Sequence, residues 1–310
     1  MVYKHIVLPG GASNGFNDFG AIYYFMKNNL IDIKNIETIH ATSVGSLLAT
    51  VLCLNHDIDE YQQYIINCSM DKIFYIDPEE VMNVTQSTGF INDNCFKDYI
   101  KPFFEANNVS IDITLQQFFE LTNISLYIYV TEINTMSPIA FSHINNPDLK
   151  LFDAIRGSCS LPILFSPLVY NGQLYVDGGF ICNYPLNECL DMEGVIPNEV
   201  IGINHIYDDS DNEIDVNNYN IFDLIIHIIF CLMNKLVDTI LNNRVNKVMD
   251  SKRIADTTQI EIPIENNLSI LGNLLNSFVS KDFRQQKIEK GSEYGEKYYK
   301  THLQGTIKEL

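Results

Sequence analysis

A serine placed between two apolar segments is the first residue in this sequence that could do chemistry. Ser43 lies in the stretch ATSVG, residues 41–45, and a serine on a sharp strand-to-helix elbow can act as a nucleophile. Small residues must flank such a serine, because its strained backbone crowds the adjoining strand and helix. Gly45 is small enough on one side, and Ala41, with one extra methyl group, on the other. An ordinary turn explains the same stretch equally well, so the pattern alone leaves both interpretations open.

A glycine-rich turn near the start of the chain could bind an anion. The stretch GGASNG, residues 10–15, follows an apolar run and precedes a helical pattern. A turn of this kind directs backbone N–H groups toward one point at the positive end of a helix dipole. It matches neither the dinucleotide-binding pattern G-x-G-x-x-G nor a P-loop. A tight turn that simply requires glycine is the competing interpretation.

The third candidate is Asp177, which follows the strand-like stretch QLYV and precedes two glycines. An aspartate at the end of a strand can act as a general base, although Asp-Gly is also a common turn pair. A Ser-His-Asp triad in the chain order of α/β-hydrolases would need a histidine after the acid, which leaves His205, His227 and His302. None of these three lies in an obvious catalytic loop. A Ser–Asp pair without histidine is therefore the better interpretation.

The elements around these residues predict where the candidates meet. Strand, turn and helix alternate twice in the N-terminal part, which is typical of a parallel sheet with crossover helices. The three candidates would then lie at the carboxyl ends of strands, where open α/β sheets build their sites. We expect a catalytic core over residues 1–206, an acidic loop over residues 207–220, and a helical C-terminal region over residues 221–310 packed on the same domain.

Composition excludes several functional classes. The net charge of −19 argues against a nucleic-acid partner, which needs clustered lysine and arginine, and against broad attraction to anionic membranes. Seven cysteines without metal-ligand spacing favour reduced thiols in a cytosol-like compartment. The acidic loop carries Ile214 where a calcium-binding EF-hand loop needs glycine, so it reads as a solvated loop.

The sequence also predicts where the protein is found. The most apolar segment, residues 221–241, is interrupted by Asp223 and His227 and indicates a buried helix, not a membrane span. The N-terminus lacks the pattern of a signal peptide, so we expect a cytoplasmic protein that is at most peripheral to a membrane. The isoleucine- and asparagine-rich composition points to a viral or bacterial-effector origin, with the host cytoplasm as the location.

In type and order, the glycine turn, the serine elbow and the Asp-Gly-Gly motif resemble those of the patatin-like phospholipases. The likeness extends over residues 4–206 and includes the stretch LFDAIRGSCSLPILFSPLVYNGQLYVDGGFICNYPL. The resemblance implies an α/β fold in three α/β/α layers, with a central, mostly parallel sheet. It makes Ser43 the nucleophile and Asp177 the base that activates it.

The same resemblance implies the rest of the site. The N–H groups of Gly10, Gly11 and Ala12 would form the oxyanion hole, with Ala41 and Gly45 supporting the elbow. The reaction would be hydrolysis of an acyl ester through an acyl-serine intermediate, without metal or cofactor. The substrate would be a phospholipid or another acyl-ester lipid met transiently at a membrane surface. An activating protein partner would remain to be identified.

Two positions depart from the family pattern Gly-Gly-Gly-x-Arg/Lys-Gly: Ala12 replaces the third glycine, and Asn14 replaces the basic residue. The missing cation weakens the case for anionic lipids. We expect the acyl chain to lie along the middle helices, around residues 96–119. Two alternatives stay open: a Ser-His-Asp esterase that uses His205, and a non-catalytic lipid-binding or scaffold protein that retains the fold.

Overall fold

Eight strands form one mixed sheet in the computed structural model, which describes residues 2–75, 82, 88–91, 94–208, 224–225, 228–229, 231–232, 235, 248–265 and 270–304. The strand order is β5-β6-β3-β2-β1-β7-β8, with β4 paired to β3. The strands are β1 (His5–Leu8), β2 (Thr38–Thr42), β3 (Ser125–Glu132), β4 (Ser137–Phe141), β5 (Leu168–Tyr170), β6 (Gln173–Asp177), β7 (Val200–Asp208) and β8 (Thr258–Glu265).

Helices flank this sheet and connect its parallel strands. The described α-helices are α1 (Gly15–Lys27), α2 (Val44–Cys53), α3 (Ile58–Asn67), α4 (Met70–Ile73), α5 (Cys95–Ala106), α6 (Leu115–Thr122), α7 (Leu151–Ser158), α8 (Leu186–Leu190), α9 (Val248–Ala255), α10 (Ile270–Val279) and α11 (Lys281–Tyr298). The pairs β1–β2, β2–β3, β1–β7 and β7–β8 are parallel, and the pairs that β3, β4, β5 and β6 make with one another are antiparallel. The predicted fold class, a mostly parallel sheet between helices, is confirmed.

The central strands are buried because both of their faces are covered. Every residue of β1 and of β2 is buried, as expected for parallel strands that carry helices on each side. Helix α2 is buried along almost its whole length after its first residue. The carboxyl end of β2 and the N-terminus of α2 are therefore held rigidly, and Ser43 lies between them.

The C-terminal part adds one strand that was not predicted. The stretch TQIEIPIE forms β8 and pairs in parallel with β7 over eight residues, from Ile201 opposite Thr258 to Asp208 opposite Glu265. Ile260 and Ile262 are fully buried, so the alternation of isoleucine with polar residues is the signal that marks this strand. The described remainder is helical, and α11 packs along α1.

Two predictions concern residues that are mostly outside the described ones. Tyr207 and Asp208 belong to β7, and the rest of the acidic loop lies outside the described residues. Most of the apolar segment 221–241 also lies outside them. Among the helices of the described ranges, none combines the length and the hydropathy needed to cross a membrane.

Candidate active site

Ser43 occupies the strained turn between β2 and α2. Its backbone has φ 52° and ψ −129°, a conformation that costs a non-glycine residue about 1–3 kcal/mol. Neighbouring side chains hold the turn in place. Its N–H donates to Ser158 Oγ at 2.8 Å, and its carbonyl accepts from Ser46 Oγ at 2.6 Å. Ser158 Oγ in turn donates to the Tyr129 carbonyl in β3, which ties the elbow to the neighbouring strand.

The two small residues beside the elbow have different reasons for their size. A Cβ added at Gly45 would lie 2.6 Å from the carbonyl oxygen of Pro9, so no larger residue fits there without moving β1. Ala41 lies within β2, opposite Leu8 of β1 and Ile128 of β3, and its methyl group is part of the main hydrophobic core. The departure at position 41 is therefore accommodated by core packing.

Asp177, the last residue of β6, meets Ser43 directly. Its Oδ2 accepts a hydrogen bond from Ser43 Oγ at 2.7 Å, and its Oδ1 accepts from the N–H of Gly179 at 2.7 Å. The carboxylate is almost completely buried, and this desolvation raises the pKa of Asp177 to about 6 in spite of both hydrogen bonds. A group with such a pKa can accept and return a proton near neutrality.

Gly178 allows Asp177 to come this close. A Cβ at Gly178 would run into the carbonyl oxygen of Tyr129 in β3, so the chain after β6 can lie against β3 only with glycine there. The hydroxyl of Thr42, next to Ser43, donates to the carbonyl of Cys182 at 2.8 Å. The loop that follows Asp177 is thus fastened to the elbow itself.

The glycine turn lies beside Ser43 and forms a short 3₁₀ helix, Ala12–Asn14. The N–H of Gly10 donates to the Asn183 carbonyl at 3.1 Å, and Asn183 Nδ2 donates back to the Gly10 carbonyl at 3.1 Å. The N–H of Gly10 is therefore already hydrogen-bonded within the protein and holds the turn in place. The N–H groups of Gly11 and Ala12 have no acceptor among the described residues. Ala12 has φ 48°, so the residue that replaces the usual glycine keeps a left-handed conformation at a cost.

His205 packs against Gly11 of the glycine turn and pairs with Asp18, whereas the Ser43 hydroxyl donates to Asp177. Its Nε2 is 2.7 Å from Asp18 Oδ1, and both side chains are only 2% exposed. The ring packs under Gly11, where an added Cβ would lie 2.5 Å from His205 Cε1. Of the other two candidate histidines, His302 is exposed and stacks on Tyr298. His227 lies outside the described residues.

An apolar cavity adjoins Ser43 and Asp177. Its walls come from α2, α3, α4 and α5 and carry leucine, isoleucine, methionine and aromatic side chains, among them Leu47, Ile65, Met70, Phe74, Phe96 and Tyr99. Phe96, at one end of the region where the acyl chain was expected, thus lines the cavity. Phe119, at the other end of the expected region, stacks on His143 instead and does not line the cavity.

Helices of the C-terminal part complete the cavity, and the residues that they contribute were not predicted from the sequence. Leu274 and Phe278 of α10 line it, and Phe278 stacks on Phe74 with ring centroids 4.7 Å apart. Lys287 of α11 also lines the cavity. The amphipathic stretch ILGNLLNSFV was the only sequence signal for the first two, and no local pattern indicated Lys287.

Comparison with known proteins gives concordant matches. A model of the patatin-like phospholipase family matches residues 6–190. Protein R571 of Acanthamoeba polyphaga mimivirus is 30% identical over 183 residues, which are 59% of this chain and 60% of that protein. The probable lipid hydrolase 463L of Invertebrate iridescent virus 6 is 29% identical over 189 residues, 60% of this chain and 62% of that protein. The matches thus span under two thirds of either viral protein's length.

The fold has a counterpart among solved structures. VipD from Legionella pneumophila superposes with a TM-score of 0.53 at 17% sequence identity, covering 97% of this chain and 67% of VipD. At this level of identity the likeness concerns the fold. It extends over the C-terminal part, which the family model does not reach.

Proposed function

The chain belongs to the patatin-like phospholipase family, and from this premise we propose that it is a serine lipid acyl hydrolase of the phospholipase A or lysophospholipase type. The observation that carries the proposal is the hydrogen bond of 2.7 Å between Ser43 Oγ and Asp177 Oδ2, made on a strained elbow beside an apolar cavity. The substrate is an acyl-ester lipid whose hydrocarbon chain occupies that cavity.

The reaction begins with the Ser43 hydroxyl. Its oxygen attacks the ester carbonyl carbon while its proton passes to the Asp177 carboxylate. The negative charge that develops on the carbonyl oxygen is stabilised by the backbone N–H groups of Gly11 and Ala12, which have no acceptor among the described residues. Collapse of the tetrahedral intermediate breaks the ester bond, and protonated Asp177 gives its proton to the leaving alcohol.

Hydrolysis of the acyl-serine repeats these steps with water. Asp177 removes a proton from a water molecule, whose oxygen attacks the acyl carbon, and the proton then returns to Ser43 Oγ as the fatty acid leaves. The raised pKa of Asp177, about 6, suits both halves of the reaction, because the group must be ionised at the start and protonated in between.

The test is release of fatty acid from phospholipid vesicles by the wild type, Ser43→Ala and Asp177→Asn, together with labelling by a fluorophosphonate probe. We expect labelling of the wild type and none of Ser43→Ala. Ser137→Ala, at the half-buried start of β4, is the matched control for loss of a serine. A wild-type protein that neither labels nor releases fatty acid would favour the non-catalytic alternative. Undiminished hydrolysis by Asp177→Asn would contradict the proposed dyad.

A further inference from the structure

A buried arginine contacts the helix that forms one wall of the cavity. Arg284, in the first turn of α11, is only 1% exposed, although arginine is almost never buried so completely unless it is paired. Its hydrogen bonds within the described part of the chain go to main-chain carbonyl oxygens. Nη1 donates to Ser277 at 2.8 Å and to Phe278 at 3.2 Å. Nη2 donates to Ile66 at 2.6 Å and to Cys68 at 3.1 Å.

The four acceptors belong to the ends of two helices. Ile66 and Cys68 lie at the C-terminus of α3, and Ser277 and Phe278 lie in the last turn of α10. The carbonyls of a last helical turn have no partner within their own helix, and the helix dipole makes this end negative. A guanidinium group that donates to both ends satisfies these carbonyls and holds together two helix ends that would otherwise repel each other.

Helix packing fixes α11, from which this arginine extends. A Cβ at Gly291 of α11 would run into the backbone carbonyl of Asn17, and one at Gly20 of α1 would run into that of Ile288. The backbones of α1 and α11 are thus in direct contact. The guanidinium group at the start of α11 therefore extends from a helix that is held firmly against the N-terminal part.

The helix that the arginine holds, α10, is a wall of the cavity. It packs against the glycine turn and against α4, and Leu274, Ser277 and Phe278 line the cavity. The ring of Phe278 stacks on that of Phe74, which directly follows α4, with centroids 4.7 Å apart. A shift of the end of α10 would separate these rings. The position of this helix end therefore sets how closely the wall covers an acyl chain.

The contacts run without interruption from α1 through α11 to the cavity wall. Given the proposed lipid hydrolase function, we propose that Arg284 is a positioning residue for acyl-chain selectivity, because it holds Phe278 where a long chain contacts it. A long chain gains about fourfold in affinity for each methylene group that the wall covers, whereas an acetyl group offers only its methyl. Arg284 acts through α10 and not on the ester, so the chain-length preference depends on it and the chemical step does not.

The experiment compares p-nitrophenyl octanoate with p-nitrophenyl acetate, which differ only in the length of the acyl chain. For Arg284→Met we expect KM for the octanoate to rise about tenfold, the loss of cover over about two methylene groups, with kcat little changed. Hydrolysis of the acetate by the folded protein stays within about twofold of the wild type. Arg284→Lys keeps a cation for the two helix ends and restores most of the preference. Arg253→Met is the control for loss of an arginine, because Arg253 is partly exposed and pairs with Asp191.

A second variant tests the route through the ring and keeps the inference testable if Arg284→Met does not fold. Phe278→Ala removes the ring but leaves the main-chain carbonyl that Arg284 binds, and it should lower the preference for the octanoate by a similar factor. In the double variant the two effects should not add, because both changes act on the same contact. An unchanged preference in Phe278→Ala, or additive effects in the double variant, would overturn the inference. So would equal losses on both esters, or no loss on either, in Arg284→Met.

Binding separates this inference from the proposed function. Calorimetric titration of Ser43→Ala with 1-octanol, a neutral probe with an eight-carbon chain, measures affinity for the cavity in the absence of turnover. If the wild type hydrolyses neither ester, the proposed function fails, yet an affinity that falls about tenfold when Arg284→Met is added still supports the positioning role. Identical affinities with and without Arg284→Met would refute it.

Discussion

Replacing Asp177 by asparagine is expected to stabilise the protein at neutral pH and to remove its activity. The asparagine side chain has the shape of a protonated aspartate: its Oδ1 can still accept from the N–H of Gly179, and its Nδ2 can donate to Ser43 Oγ. What it lacks is the buried charge. The variant therefore isolates the free energy that the protein spends on ionising one carboxyl group inside the active site.

The size of this effect follows from the pKa. Burial raises the pKa of Asp177 from 3.8 to about 6, a shift of about two units that corresponds to about 3 kcal/mol. Below pH 4 the carboxyl is protonated in both the folded and the unfolded chain, and the cost is absent. Between pH 4 and 6 the unfolded chain loses its proton first, so the stability of the wild type falls as pH rises. Above pH 6 the full cost remains.

The assay is urea unfolding of the wild type and Asp177→Asn from pH 4.5 to pH 8, with ester hydrolysis measured in parallel. The stability difference in favour of the variant should grow with pH and level off above about pH 7, by up to about 3 kcal/mol. Wild-type kcat/KM should rise through about pH 6 as the base ionises.

A control carboxyl should show the opposite trend. At the exposed Asp112, the hydrogen bond from Lys150 lowers the pKa, so Asp112→Asn loses a contribution that exists only above the ordinary pKa of aspartate. A stability difference for Asp177→Asn that is independent of pH, or that shrinks as pH rises, would refute the assignment of Asp177 as a buried group with a raised pKa.

Three further substitutions test the frame around the site. Ala12→Gly should raise the free energy of unfolding by about 1 kcal/mol, because position 12 has a left-handed φ that glycine adopts without strain; a loss of stability would contradict that conformation. Gly291→Ala should lower it by about 1–3 kcal/mol, because the added methyl group meets the Asn17 carbonyl, and unchanged stability in thermal or urea unfolding would show that the helices are further apart. His205→Gln should keep kcat/KM of the folded fraction within a few-fold, because the amide can still reach Asp18, whereas a loss of about a hundredfold or more would favour the triad.

The family and the fold class could be predicted from sequence because their signals are local. The three motifs each lie within a few residues of a strand end, and parallel strands bring such ends to one edge of the sheet. Ser43 and the glycine turn lie at one edge for this reason, whereas Asp177 reaches Ser43 from β6, which runs antiparallel to β3 and places Asp177 opposite Val130. The hydrogen bonding of the glycine turn could not be predicted in the same way. The N–H of Gly10 donates to the carbonyl of Asn183, which lies in a loop far away in sequence. No pattern in the turn itself indicates this contact.

What sequence reasoning missed comes from the C-terminal part. β8 was overlooked because a strand of eight residues with isoleucine at alternate positions stands next to helical stretches. The contributions of Phe278 and Lys287 to the cavity depend on the packing of α10 and α11 on elements from the start of the chain. Contacts between such distant segments leave no periodic signal in the sequence.

The backbone contact between α1 and α11 also has a kinetic consequence. It joins residues 17–20 to residues 288–291, and the pairing of β8 with β7 likewise needs residues 258–265. Contacts of such high sequence separation slow folding, because a long chain must be ordered before they form. During synthesis the N-terminal part carries its serine elbow long before the cavity wall from α10 and α11 exists. A growing chain therefore lacks this wall of the cavity until residues 270–298 have left the ribosome.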